Sequence, residues 1–266
     1  MARSVRQAVT GMTLDLNQLF DGLTYQFLLV FARVGSAIML LPGIGDMRVP
    51  MRVRLLFGLA LSALTLGAAA HALPSTPPQF GQMALQVISE AGIGLFIGTT
   101  AALLMSILNM AGAVIAAQIG LGNALTGELF STESGVTIGS GLMAGGLVIL
   151  FTTGLDHLML SALAHSYDGL PAAQLPAMQD MADTLTTELS AAFSTAIQLS
   201  TPFLVLGLAF NIGLALANRA LPQLPVFFVG LPASLAGGLI VLMIAIPAIL
   251  IGFADAFETL FTAALP

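Results

Sequence analysis

Apolar and small residues dominate six stretches of the chain, and most polar residues gather between them. The stretches cover 23–41, 55–70, 87–123, 136–153 with a continuation toward 164, 189–217 and 227–253. Runs of this length and apolarity predict membrane helices. The third is the longest. From Val87 to Ala117 it is almost wholly apolar or small, interrupted by Glu90 and Asn109. As a helix it would be roughly 46 Å long, against roughly 30 Å of bilayer hydrocarbon. It must therefore tilt strongly, break, or pack against protein beyond the lipid. Gly94 and Gly98 form a small-xxx-small pair, Ala113 and Ala117 another, with Gly112 between them and Gly120 and Gly122 beyond. Small residues let helices approach closely where lipid is as apolar as leucine. Helix hydrogen bonds are expected to lapse near Gln118, Gly120 and Gly122, and irregular backbone at membrane depth must be buried in protein or line a watery cavity. The pattern predicts a helix committed to partners, with a deformable end beside a passage.

The other stretches carry breakers too. Segment one contains Arg33 and leads into PGIGDMRVPMRVR, Pro42 to Arg54. HALPSTPPQFGQ has three prolines and no charge and reads as a stiff turn or linker. A loop with Thr126, Gly127, Glu128 and Glu133 precedes segment four, where Gly141 and Gly145 form a further small face. Tyr167 to Glu188 reads as an acidic loop. Pro202 is expected to interrupt segment five, and Pro232 and Pro247 segment six. Neighbouring helices must satisfy the backbone groups freed there.

Composition makes the membrane assignment firm: 57% of residues are hydrophobic and 8% charged, where soluble domains carry about 25% charged residues. The six segments are expected to form one membrane unit. Seven arginines, no lysine and a net charge of −6 argue against a nucleic-acid partner. The absence of cysteine excludes disulfide and thiolate chemistry. Arg3 and Arg6 are not followed by an apolar region, so no cleaved signal peptide is expected. With the N-terminus outside, inner connections hold Arg48, Arg52, Arg54 and Arg219 against Arg3 and Arg6 outside, in keeping with the positive-inside rule.

Several constellations imitate catalytic sites. GIGD at Gly43–Asp46 and Tyr167-Asp168 resemble the motifs of intramembrane aspartyl proteases, but in reversed order. The orientation also puts the two aspartates on opposite sides, where they cannot share a proton. His71, His157 and His165 lack an HExxH pattern, so no metal is expected. Ser140 between Gly139 and Gly141 is not in a GxSxG elbow, and no phosphate- or dinucleotide-binding glycine motif occurs. No catalytic residue and no cofactor are assigned. Arg33 and Glu90 are more informative, because a charge in an apolar segment is usually paired or faces water. A structural ion pair or a snorkelling end is favoured over a proton pathway, which needs more ionisable groups at depth. The 13 methionines are scattered and read as core filling.

Four phrases in register resemble one family. FARVGSAIMLLPGIGDMRVPMRVRLLFGLAL carries Arg33, Pro42, Pro50 and Arg54. Glu90, Gly92, Gly94 and Gly98 precede AGAVIAAQIGLGNA. GLDHLMLSALAHSYDGLP and NIGLALANRALPQLPVFFVGLP follow, the last with Asn211, Gly213, Arg219, Pro222 and Gln223. Together they are similar to the R component of the flagellar type III export gate (FliR), whose virulence-system counterpart is the T subunit. The chain departs from that pattern at Pro225 (usually asparagine), at Ala233 and Ser234 (often leucine–lysine), at Gly127 and Glu128 (usually aspartate–proline) and at Asp156.

The resemblance implies an all-α membrane protein of about six bent apolar helices in hairpins. It implies a P-like part over 1–185 and a Q-like helical hairpin over 186–266, with the seam near Asp180 to Glu188. It implies a non-enzymatic subunit, one copy of which joins the P and Q components in a helical hetero-oligomeric pore for unfolded substrates. Further export-apparatus membrane proteins and membrane lipid complete its partners, at the inner membrane and flagellar basal body, with part of the assembly on the periplasmic side. Gly112, Gln118, Gly120, Leu121 and Gly122 would supply part of the plug. Arg33, Glu90, Gly94, Gly98, Asn211, Arg219, Pro222 and Gln223 would form structural or partner interfaces. The competing expectations are a secondary transporter, which also uses broken helices and ionisable groups, a virulence-type secretion subunit and an intramembrane protease.

Overall fold

The computed structural model describes residues 22–46, 48–74, 76–119, 134–174, 177–220 and 226–265. Among them the chain is all-α, with seven helices: α1 (Gly22–Ile38), α2 (Met51–Ala69), α3 (Phe80–Gln118), α4 (Ser134–Thr152), α5 (Leu155–Gly169), α6 (Met178–Ala220) and α7 (Val226–Ala264). Four of these are long and apolar enough to cross a membrane, five when α4 and α5 count as one broken span. The protein is an all-α membrane protein. The fourth apolar segment is that broken pair: α4 stops at Thr152, and Gly154 takes a left-handed φ of 80°, which glycine adopts without steric cost.

α3 is one unbroken helix of 39 residues, about 58 Å long, and it stops at Gln118, where the sequence predicts its hydrogen bonds to lapse. Two boundaries differ from expectation. The helices run through Pro202, Pro232 and Pro247 instead of ending there; each proline removes one backbone donor, a local loss that long flanking helix tolerates. The acidic loop expected from Tyr167 to Glu188 is mostly helix: Tyr167 and Asp168 close α5, while Asp180, Asp183 and Glu188 lie in α6. Asp180 in the first turn suits the positive end of the helix dipole. α6 is continuous across 180–188, and the two compact units divide within it, between Thr184 and Leu185.

Two compact units form, and they are interleaved in sequence. The first takes the described residues up to Ala102, His157–Thr184 and the chain from Ala263; the second takes Leu103–Asp156 and Leu185–Thr262. In the first, α1 buries Leu29, Val30, Arg33, Val34, Ala37 and Ile38, and Leu41 is buried just beyond its end. α2 lays only Gly58, Ser62, Thr65 and Ala69 inward, leaving Leu56 and Leu64 exposed. In the second unit, Phe253, Phe257 and Phe261 form a fully buried ladder on α7 with centroids 5.8 and 5.6 Å apart. α6 contributes a face of small residues, Ala192, Ala196, Ser200 and Gly207. Of the most apolar stretch of α3, 61% is buried, against 11% for α7. α3 is therefore core, while most of α7 remains uncovered.

Candidate functional site: a buried ionic clasp and a helix end held by glycines

Arg33 of α1 and Glu90 of α3 meet inside the first unit, Nε to Oε2 at 2.6 Å, with both side chains fully buried. Every polar atom of the arginine head has a role. One terminal nitrogen donates to Ser166 Oγ and the other to the Leu170 carbonyl, each at 3.0 Å. The face of the guanidinium lies 3.8 Å from the centroid of the Tyr167 ring, a cation–π arrangement. The second carboxylate oxygen of Glu90 accepts the Ala173 N–H at 2.8 Å. The Ser166 hydroxyl in turn donates a hydrogen bond to the Leu163 carbonyl at 2.8 Å. One ion pair thus pins the last turn of α5 at Ser166 and Tyr167 and the turn after it at Leu170 and Ala173. Such a pair must be hydrogen-bonded on all sides to offset its desolvation, and this one is.

Two more bonds reinforce the clasp. Ser89 donates to the Gln174 carbonyl at 2.5 Å, and the Tyr25 hydroxyl to Gln86 Oε1 at 2.5 Å. Ala173 is held at φ 60°, a region costing an L-residue about 1–2 kcal/mol. Ala173→Gly is therefore expected to leave the thermal stability of the purified protein unchanged or raise it slightly, and Ala173→Val to lower it.

Gly94 and Gly98 make the clasp reachable. A Cβ on Gly94 would overlap the Arg33 carbonyl oxygen and Ser36 Oγ; one on Gly98 would lie 2.8 Å from the Ala37 carbonyl oxygen and from Leu40 Cβ. The backbones of α1 and α3 touch where only glycine permits it. Four expected residues, Arg33, Glu90, Gly94 and Gly98, therefore form one intramolecular junction. Ser166, the Leu170 carbonyl and Ala173 complete it without having been expected.

In the second unit the last half of α3 is held in the same manner. A Cβ on Gly112 would overlap Gly139 Cα of α4, and one on Gly139 would overlap Asn109 Oδ1. A Cβ on Gly207 would overlap Gln118 Oε1, and one on Gly238 the Cγ2 of Ile119. Asn211 and Arg219 are exposed along the last turns of α6. Gly120, Leu121, Gly122, Pro222 and Gln223 lie outside the described residues.

The imitations of catalytic sites are engaged elsewhere. Asp46 pairs with Arg48 at 3.4 Å, while the Asp168 carboxylate lies 3.6 Å from a His71 ring nitrogen. Among the described residues no group of three His, Asp or Glu could hold a metal. The GIGD segment is instead a turn, with Gly43 at φ 82° and Arg54 donating to the Val49 and Gly45 carbonyls at 3.2 and 3.4 Å.

The family model described as bacterial export proteins, family 1, matches residues 24–260. The chain belongs to this family. Its relatives include the flagellar biosynthetic protein FliR of Caulobacter vibrioides, 32% identical over 89% of this chain and 94% of that protein. The FliR of Escherichia coli is 30% identical over 82% of each chain, and that of Aquifex aeolicus 28% identical over 88% and 90%. This bacterial export protein places its buried ion pair and its glycine-held α3 within the matched region.

Proposed function

We propose that this chain is a non-enzymatic core subunit of the flagellar type III protein export gate. One copy joins P and Q components, and the end of α3 with the segment after it forms part of the pore and its plug. The observation that carries this reading is the family match over nearly the whole chain together with full-length likeness to several FliR proteins. The uncovered apolar surface of α6 and α7, with Leu208, Ile212, Leu216, Met243 and Ile244 exposed, supports a protein completed by neighbours and lipid. The buried polar groups serve packing, which supports a structural role. We place the assembly in the bacterial inner membrane at the flagellar basal body, partly on the periplasmic side, with unfolded flagellar proteins as cargo. Residues 1–185 would be the P-like part and 186–266 the Q-like hairpin.

Co-expression with the two candidate partners, followed by native mass measurement, tests the proposal. One copy of this chain within a hetero-oligomer is the expected result. A stable lone chain whose melting temperature rises with a small solute would make it a transporter instead. Gly120→Val and Gly122→Val are expected to hinder gating or assembly, because a plug needs backbone freedom that glycine supplies. Wild-type ion leak and export in both variants would remove the plug from the proposal.

A further inference from the structure

The end of α3 sits in a notch built from two other helices of the same unit. Ile119 follows the helix directly, is 2% exposed, and donates its N–H to the Ile115 carbonyl at 3.0 Å. Ser234 and Gly238 stand one helical turn apart on α7, and both meet Ile119. The Ser234 hydroxyl donates to the Ile119 carbonyl at 3.3 Å. A Cβ on Gly238 would overlap Ile119 Cγ2 and lie 2.5 Å from its Cβ and 3.5 Å from its Cα. On α6, Gly207 gives the Gln118 side chain its space. The two contacts differ in stiffness. Gln118 can swing its amide away, whereas a β-branched isoleucine has little freedom at χ1, so a methyl at 238 must shift the α3 backbone itself.

We propose that the Ser234–Gly238 turn of α7, together with Gly207 of α6, is a seat that fixes the end of α3, and that these three are positioning residues for the gate. The gate clause rests on the proposed function above; the seat does not. Shape and one carbonyl bond carry the effect. The seat places the C-terminal helices in control of where α3 stops.

The test uses the chain co-expressed with its export partners, carrying Ala116→Cys as reporter. Ala116 is 2% exposed and the chain has no cysteine of its own, so maleimide labelling reads opening of the α3 end. Gly238→Ala is expected to speed labelling about tenfold, since overpacking by one methyl shifts the open population by that order, and to raise ion leak. Adding Ile119→Gly removes the obstructing Cβ, so the double variant is expected to label no faster than Ile119→Gly alone. Gly207→Ala should have the smaller effect. Should Gly238→Ala fail to assemble, Ser234→Ala is expected to speed labelling about threefold and Ser234→Thr to restore it. Unchanged labelling in both Gly238→Ala and Ser234→Ala overturns the seat, as does a Gly238→Ala effect that Ile119→Gly leaves fully additive. Faster labelling with wild-type leak upholds the seat and removes the gate reading.

Discussion

Arg33→Met is expected to deplete the chain from membranes and from the proposed export complex and to abolish export. Among the described residues it leaves the fully buried Glu90 with only the Ala173 N–H as hydrogen-bond donor, and orphaning one partner of a buried ion pair costs about 3–5 kcal/mol. That is a large part of a stability of about 5–15 kcal/mol. The arginine also carries Ser166, the Leu170 carbonyl and the Tyr167 ring, so the turn after α5 loosens with it. Arg33→Lys should be depleted less than Arg33→Met, because an ammonium keeps a charge for Glu90 but cannot reproduce the planar fork that serves three directions at once. The informative variant is Arg33→Met with Glu90→Leu. Removing both charges removes the orphan, so the double variant should accumulate better than Arg33→Met alone. Recovery stays partial, because the Leu170 carbonyl and the Ala173 N–H still lose their partners. Immunoblotting of membranes and co-purification with the proposed partner subunits measure both effects. Equal depletion in the single and double variants would mean that the pair is not what Arg33 contributes.

Gly112→Val is expected to separate α3 from α4 and destabilise the complex by about 3 kcal/mol or more. The first added carbon already overlaps Gly139 Cα, backbone against backbone, and overpacking a tight contact costs about 1–3 kcal/mol before the branch of valine is counted. Gly141→Ala is the control on the neighbouring turn of α4. Nothing lies within 4 Å of its Cβ position, and alanine favours helix over glycine by about 1 kcal/mol, so it should be neutral or stabilising. Melting of the purified complex distinguishes them. A Gly112→Val complex as stable as wild type would remove the close α3–α4 crossing from the account.

Parts of this architecture were legible in the residues. Arg33 and Glu90 announce themselves because charge inside an apolar run is costly, and Gly94 and Gly98 because helix spacing puts them on one face. What completes their site was not legible. Its remaining partners lie 133 and 137 positions from Arg33 and 83 from Glu90, and two of them are backbone atoms, which carry no side-chain signature. The glycines of α3 pointed to close packing without naming Gly139, Gly207 or Gly238 as the other surface, since an unaligned sequence does not pair faces. The acidic stretch is helical for a physical reason. Polarity lowers hydropathy but does not break a helix, and Asp180 and Asp183 sit where the helix begins. Proline is a weak stop here likewise: one lost donor does not end a helix of 43 or 39 residues.

The interleaving of the two units has a consequence for biosynthesis. The clasp on α1 waits for a turn translated about 140 residues later, and the aromatic ladder of the other unit is finished only when Phe261 has been made. The clasp can close once Ala173 has been made, while the second unit still lacks α7 and its share of α6. A nascent chain stalled before α7 would present bare glycine and alanine faces to the bilayer, and would be prey for membrane quality-control proteases rather than a usable fragment.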